Sequence, residues 1–478
     1  MKRLKKDLLS IFVVLLSSIL LFPMFVYADE DIDAQIEARK KITVESNLYD
    51  NWPAGPETSC QSAILIDADT GIVLYEKNIH EHLYPASITK ILTALVAYEN
   101  CDMKDMVTFS YDAVNSIDWR YDANMGINGG SSITMEEALI GMLVGSANEA
   151  AYAIAEHVSG NGKLDEFAKL MNEKAKSLGC TDSNFVTPNG IHDENHYTSA
   201  HDMALIAKEF FANDFLANIA CTSSYHFAQT ATQPKDDMVV YAKSKLHKGK
   251  EYAYDGLVGT KTGYTDYAQQ TLVSCAQRNG MKLICVVMKE EAPSQYTDTI
   301  DLFNYGFSNF TTESIADKDT RFNISSSNLF NTDIDIFGSS KPILKISSNS
   351  YVVLPKGGEL SQTECKITYD NLSNDQIANI DYYYSGTYIG SAAVIPSRED
   401  PVYYDFDDES EETSSDSSDY IFINIISLLG IVVGIAVLLI IIFLIISVIR
   451  KSISSGKTST PNNKYNYTNK DLEWKHLK

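Results

Sequence analysis

Three groups of residues in this chain could do chemistry together: Ser87 with Lys90, Ser146 with Asn148, and the run Lys261-Thr262-Gly263. A serine hydroxyl becomes a useful nucleophile only when a neighbouring base takes its proton. Three residues apart at the start of a helix, Ser87 and Lys90 share one face. A lysine serves as that base once burial and a nearby cation lower its pKa. The positive end of the same helix favours the negative charge that develops on an attacked carbonyl. Ser146 and Asn148 add a hydroxyl and an amide two apart, able to relay a proton and to hydrogen-bond a substrate. Lys261 and Thr262 add a cation and a hydroxyl for a carboxylate, and Gly263 leaves room for a peptide to pair along the backbone. Singly, each group has a bland explanation: a surface pair on a helix, a helix cap, a turn. Their order and contexts together describe a serine acyl-transfer site.

The surrounding pattern supplies elements to position these groups. Ala63–Asp67 and Ile72–Tyr75 are β-rich runs around Asp69-Thr70-Gly71, which reads as a hairpin. Tyr84-Pro85-Ala86-Ser87 leads into the apolar helix Ile91–Ala97, with a proline near its start. Met135–Val158, Lys163–Leu178 and Ala200–Phe211 have helical periodicity, with Gly145-Ser146 suited to a tight turn. Lys261-Thr262-Gly263 is placed at a strand edge, just before a strand beginning near Gln270. Gln270–Val287 is a strand–turn–strand reversing at Arg278-Asn279-Gly280. These runs predict an α+β domain over 57–310, after a polar lead-in at 29–56. Over 311–396, short alternating runs such as Tyr351–Leu354 and Cys365–Tyr369 predict a small all-β domain.

The two ends address the chain to a membrane. Met1–Lys6 is cationic, Leu8–Val26 is apolar, and Val26-Tyr27-Ala28 precedes Asp29-Glu30. This is the order of a secretory signal cleaved after Ala28, giving a signal peptide at 1–28; an uncleaved anchor is the competing reading. Residues 397–420 are acidic and serine-rich and read as a disordered stalk. Ile421–Ile449 carries no charge and exceeds the roughly 20 residues needed to span a bilayer. Arg450, Lys451 and Lys457 follow it, which puts the tail at 450–478 in the cytoplasm and the serine outside. The net charge of −24 argues against nucleic acid as a partner. The seven cysteines are scattered, without CxxC pairs, and imply neither a zinc site nor a disulfide framework. Cys275 and Cys285 flank the last turn and either face each other or stay buried as thiols.

On its motifs the sequence resembles the serine-type D-Ala-D-Ala carboxypeptidases, the low-molecular-mass penicillin-binding proteins of peptidase family S11. Tyr84–Ala94 is similar to the family's nucleophile block. Asn128–Ser132 with Leu143–Ala151 resembles its second block, and Tyr254–Thr265 its third. Phe185–Ile191 with His196–Ala200 and Asp202 resembles the stretch between the last two. The resemblance implies a β-lactamase/transpeptidase-like catalytic domain, an antiparallel sheet with helices. It implies Ser87 as the acylated nucleophile and Lys90 as its base. Ser146 would relay the proton to the leaving D-alanine, and Asn148 would bind the peptide and Lys90. Lys261 and Thr262 would bind the terminal carboxylate, and the backbone N–H groups of Ser87 and Tyr264 would form the oxyanion hole, beside Gly263. Substrates would be peptidoglycan stem peptides ending in D-Ala-D-Ala, β-lactams would be covalent inhibitors, and no cofactor or metal is implied. Val258, Ala268-Gln269-Gln270 and Lys243–Leu246 depart from the family pattern, which bears on substrate preference and rate.

Two other functions compete. A class A β-lactamase needs a Glu after the second motif to activate water, but Gly179–Gly190 holds no Glu-x-x-x-Asn and Glu166 falls inside a helical run. A non-catalytic peptidoglycan sensor would signal through the tail, which is short and polar.

Overall fold

The computed structural model describes residues 32–396 except 161, 322–343, 371 and 374. The expected signal peptide, stalk, membrane span and tail lie outside the described residues. Among the described residues, no helix is long and apolar enough to cross a membrane.

The lead-in forms a helix, α1 (32–40), and a 3-10 turn, and seats Trp52 in the core with its indole N–H donating to the Leu74 carbonyl at 3.0 Å. Then come β1 (Ser62–Asp67), β2 (Val73–Lys77), α2 (Lys90–Asn100), β3 (Met106–Thr108), α3 (Tyr111–Asn115), β4 (Ser132–Thr134), α4 (Met135–Val144), α5 (Asn148–Ser159) and α6 (Leu164–Ser177). They are followed by α7 (Ala200–Ala212), α8 (Asp214–Cys221), β5 (Ser224–His226), β6 (Val239–Tyr241), β7 (Leu257–Thr265), β8 (Gln269–Arg278), β9 (Met281–Glu290) and α9 (Ser294–Asn309). The last elements are β10 (Phe310–Ser314), α10 (Ile315–Lys318), β11 (Leu344–Ile346), β12 (Tyr351–Pro355), β13 (Glu364–Thr368), β14 (Ala378–Tyr384) and β15 (Thr387–Pro396).

The central antiparallel sheet has the order β2-β1-β9-β8-β7, so strands from the two ends of the catalytic region pair at its middle. Its inner strands are buried on both faces, which is why β1 and β9 carry the apolar runs Ala63–Ile66 and Leu283–Met288. Side chains alternate between two cores. Ile64, Val273 and Val286 pack toward the helical side, while Leu65, Leu272 and Val287 pack toward α9 and the second sheet. Helix α2 is buried almost all round, as its apolar sequence requires. Six strands form the second antiparallel sheet, in the order β10-β12-β15-β14-β13 with β11 beside β15.

Two expectations need adjustment. The helical pattern over Met135–Val158 is two helices, α4 and α5, broken at Gly145-Ser146-Ala147. Cys275 and Cys285 do not face each other. Cys275 lies opposite Ile284 and Cys285 opposite Ser274, an offset of one residue that sends the two side chains to opposite faces. All seven cysteines are free thiols.

Candidate active site

Ser87 sits in a 3-10 turn, Ala86–Thr89, that runs straight into α2 at Lys90. The preceding Ala86 has φ +52°, a left-handed conformation that costs a non-glycine residue about 1–3 kcal/mol unless neighbours hold it. Several do. Thr271 Oγ1 donates to the Pro85 carbonyl at 2.8 Å. Gly190, at φ +79°, comes so close that a Cβ there would stand 1.9 Å from the Ala86 carbonyl oxygen. His196, 1% exposed, accepts from the Val186 and Thr187 N–H groups through Nδ1 and therefore donates from Nε2 to Thr89 Oγ1 at 2.9 Å. Burial keeps this imidazole neutral, lowering its pKa to about 4. The nucleophile turn is thus clamped from three sides.

Lys90 is fully buried beneath Ser87. Its Nζ lies 2.7 Å from Ser87 Oγ and 2.6 Å from Asn148 Oδ1. Burial pushes its pKa well below the usual lysine value, and the charge of Lys261 pushes further the same way. The neutral amine this favours can receive the Ser87 proton while donating to Asn148.

The break between α4 and α5 presents the second group. Ser146 adopts φ +59° and Asn148 opens α5, so the two side chains project into the cleft from a helix start. The Asn148 N–H donates to the Ala123 carbonyl at 2.9 Å, tying the break to the loop that forms one cleft wall.

Lys261-Thr262-Gly263 lies inside β7, and β7 is the outer strand of the central sheet, so the expected strand edge is there. That edge leaves backbone groups available to an extended peptide. Lys261, 3% exposed, reaches Ser146 Oγ at 2.9 Å and the Thr262 carbonyl at 2.7 Å. Its pKa falls to about 7, first through burial and then through the charge of Lys243. Gly263 brings β7 against the nucleophile turn, where a Cβ would stand 2.9 Å from Ser87 N and from the Pro85 carbonyl.

Ser87, Ser146, Asn148, Thr262, Gly263 and Tyr264 line one cleft of about 340 Å³, and Lys90 and Lys261 meet it from beneath through Ser87 and Ser146. Every site residue expected from sequence is therefore in one place. Others were missed. Asp122, Asn189, Lys243 and Gln270 also line the cleft. Glu149, next to Asn148 and fully buried, accepts from the Met125 N–H at 2.7 Å, and burial raises its pKa to about 7. Adjacency to Ser-x-Asn was the available signal for Glu149. For Lys243 it was its place in a stretch that departs from the family pattern. Glu166 is on the exposed face of α6, paired with Lys169 at 3.0 Å, and is not part of the cleft wall.

The model of the peptidase S11 family, the D-alanyl-D-alanine carboxypeptidases, matches residues 50–292, half of the chain. The chain belongs to this family. Among its relatives, the D-alanyl-D-alanine carboxypeptidase DacF of Bacillus subtilis is 36% identical over 258 residues, 53% of this chain and 63% of that one. The match thus spans less than two thirds of that relative. DacB2 of Mycobacterium tuberculosis is 31% identical over 269 residues, 54% of this chain and 87% of its own. Penicillin binding protein 5 from Haemophilus influenzae superposes with a TM-score of 0.57 at 25% identity, covering 72% of this chain and 98% of its own. The Streptomyces K15 DD-transpeptidase gives 0.50 at 25% identity, over 54% and 100%. The chain thus has the α+β fold, with antiparallel sheets, of the penicillin-binding protein and transpeptidase structures it resembles.

Proposed function

We propose that the protein is a serine D-Ala-D-Ala carboxypeptidase that removes the terminal D-alanine from peptidoglycan stem peptides through an acyl-enzyme on Ser87. The observation that carries this reading is the buried Lys90 amine, 2.7 Å from Ser87 Oγ and held by Asn148. Ser87 Oγ attacks the carbonyl of the penultimate D-alanine while its proton passes to Lys90. Lys261 and Thr262 bind the terminal carboxylate, and that anion restores charge to a lysine poised near neutrality. Ser146, against Lys261, relays the proton that Lys90 took from Ser87 on to the departing amine as the C–N bond breaks, so that Ser146 keeps its hydroxyl and Lys90 is again the free base. The N–H groups of Ser87 and Tyr264 stabilise the oxyanion, each worth about 2.7–4 kcal/mol in the transition state. Water then hydrolyses the ester. β-Lactams acylate Ser87 by the same route.

The sequence beyond the described residues supports a place for this reaction. An apolar run at Ile421–Ile449 with basic residues after it would anchor the enzyme, the catalytic part outside the membrane and the tail inside. The deciding experiment is D-alanine release from a peptide ending in D-Ala-D-Ala by the full chain. Release that is lost in Ser87→Ala and after benzylpenicillin supports a carboxypeptidase. Penicillin labelling without release points to a transpeptidase or a sensor.

A further inference from the structure

We propose that His80, Asp182 and His201 form a second site, away from the catalytic serine, that binds a zinc-class divalent metal ion. It staples three segments on which the nucleophile turn depends. This site does not rest on the proposed activity.

A ring nitrogen of each histidine and a carboxylate oxygen of Asp182 all lie within 4.8 Å of one another. His80 Nδ1 is 2.7 Å from Asp182 Oδ2, and the two imidazoles overlap at a centroid distance of 4.7 Å with 39° between their planes. Zinc binds nitrogen at about 2.0–2.1 Å and carboxylate oxygen at about 2.0–2.2 Å. Two such ligands stand roughly 3.3 Å apart around a tetrahedral ion, so entry of an ion requires an opening of about half an ångström between His80 Nδ1 and Asp182 Oδ2. His80 can supply it, because its side chain is 61% exposed. Two imidazoles and a carboxylate suit zinc and its first-row neighbours, not the oxygen-seeking magnesium or calcium.

The support behind the ligands is that of a built site. Asp202, fully buried, takes the Nδ1 proton of His201 at 3.2 Å, the carboxylate–histidine arrangement that orients metal-binding imidazoles. The same carboxylate accepts from the N–H groups of Thr181 and Asp182 and from Ser183 Oγ at 2.7 Å, so it also fixes the loop that carries Asp182. Ser199 Oγ lies 3.4 Å from Asp182 Oδ2. The His201 N–H donates to the Ile79 carbonyl at 3.0 Å, joining α7 to the segment that carries His80.

That segment pairs Leu83 with Thr198 and continues into Pro85 and Ser87. The loop holding Asp182 continues into Gly190, which packs on Ala86. An ion joining His80, Asp182 and His201 would cross-link these paths with α7, and so stabilise the folded state by mass action.

The test is zinc titration of the untagged full chain, stripped of metal beforehand, by calorimetry and thermal melting. The proposal predicts one zinc per chain and a melting temperature raised by a few degrees at saturation. Magnesium and calcium should give no such effect. His80→Ala, an exposed change, should weaken zinc binding about a hundredfold or more and remove the thermal shift. His80→Ala should still be labelled on Ser87 by penicillin, which shows that it is folded. Asp182→Asn should weaken zinc in the same way. An absence of zinc binding, or binding that both variants leave unchanged, would overturn the site and leave His80–Asp182 as an ordinary hydrogen-bonded pair.

Discussion

Replacing Gly263 by alanine tests how closely β7 must approach the nucleophile turn. The added Cβ would stand 2.9 Å from Ser87 N and from the Pro85 carbonyl oxygen, and 2.3 Å from Thr271 Oγ1. Ordinary contact begins at 3.4 Å, so the turn and strand must part by about 0.5 Å, and Thr271 must swing further, endangering its bond to Pro85. Ser87 N and Tyr264 N are the proposed oxyanion donors, and useful donors sit about 2.7–3.1 Å from the oxyanion. Half an ångström of separation takes one donor out of range. Acylation by a fluorescent penicillin should then slow by about 10²–10³, the cost of one such donor. Thermal melting should show a loss of about 1–3 kcal/mol, an overpacking cost in a protein that still folds. A variant that is destabilised yet acylates within about twofold of the parent rate would refute this placement of the oxyanion site.

Three more substitutions probe the charges. Lys90→Arg puts a permanent cation in place of an amine that can accept a proton, so acylation should fall by about 10²–10⁴ as in removal of a base; near-normal rates would show that Lys90 is not the base. With the Lys261 pKa near 7, acylation by a carboxylate-bearing β-lactam, measured as kcat/KM, should decline as pH rises above about 7. Lys261→Arg should flatten that limb, and a parent profile level to about pH 9 would contradict the assignment. Burial raises the Glu149 pKa in the folded protein to about 7, from 4.5 for an ordinary glutamate. The folded state therefore holds the extra proton, and this contribution is present below 4.5 and lost as pH rises through 7. The whole shift corresponds to about 3 kcal/mol, so Glu149→Gln should be the more stable protein above pH 7, by chemical denaturation, with the gap closing toward pH 5.

What could be read in the sequence was local. Ser87 and Lys90 are three residues apart, and helix geometry alone puts them together. The contact of Ser146 with Lys261 bridges 115 positions; the family resemblance placed both residues in one site but did not name their contact. Lys261-Thr262-Gly263 was placed at a strand edge, but a glycine and two polar residues weaken a strand pattern, so the extent of β7 and the contacts it gives Lys261 with Ser146 and Gly263 with the nucleophile turn were hidden. The cysteine offset was hidden for a related reason, since a one-residue register choice decides the face and is set by the hairpin's two-residue turn, Asn279-Gly280. Helix α9 was passed over because Asn, Asp, Ser and Thr interrupt its apolar face. Packing of Tyr296, Leu302 and Phe303 beneath the central sheet outweighs those weak propensities.

The central claim is a covalent intermediate on Ser87. The most direct measurement is to acid-quench the full chain during turnover of a D-Ala-D-Ala peptide and locate the acyl group by mass spectrometry. The account predicts an ester on the peptide containing Ser87, absent in Ser87→Ala and displaced by prior penicillin. D-Alanine release with no adduct on that peptide, or with the adduct on another residue, would contradict it.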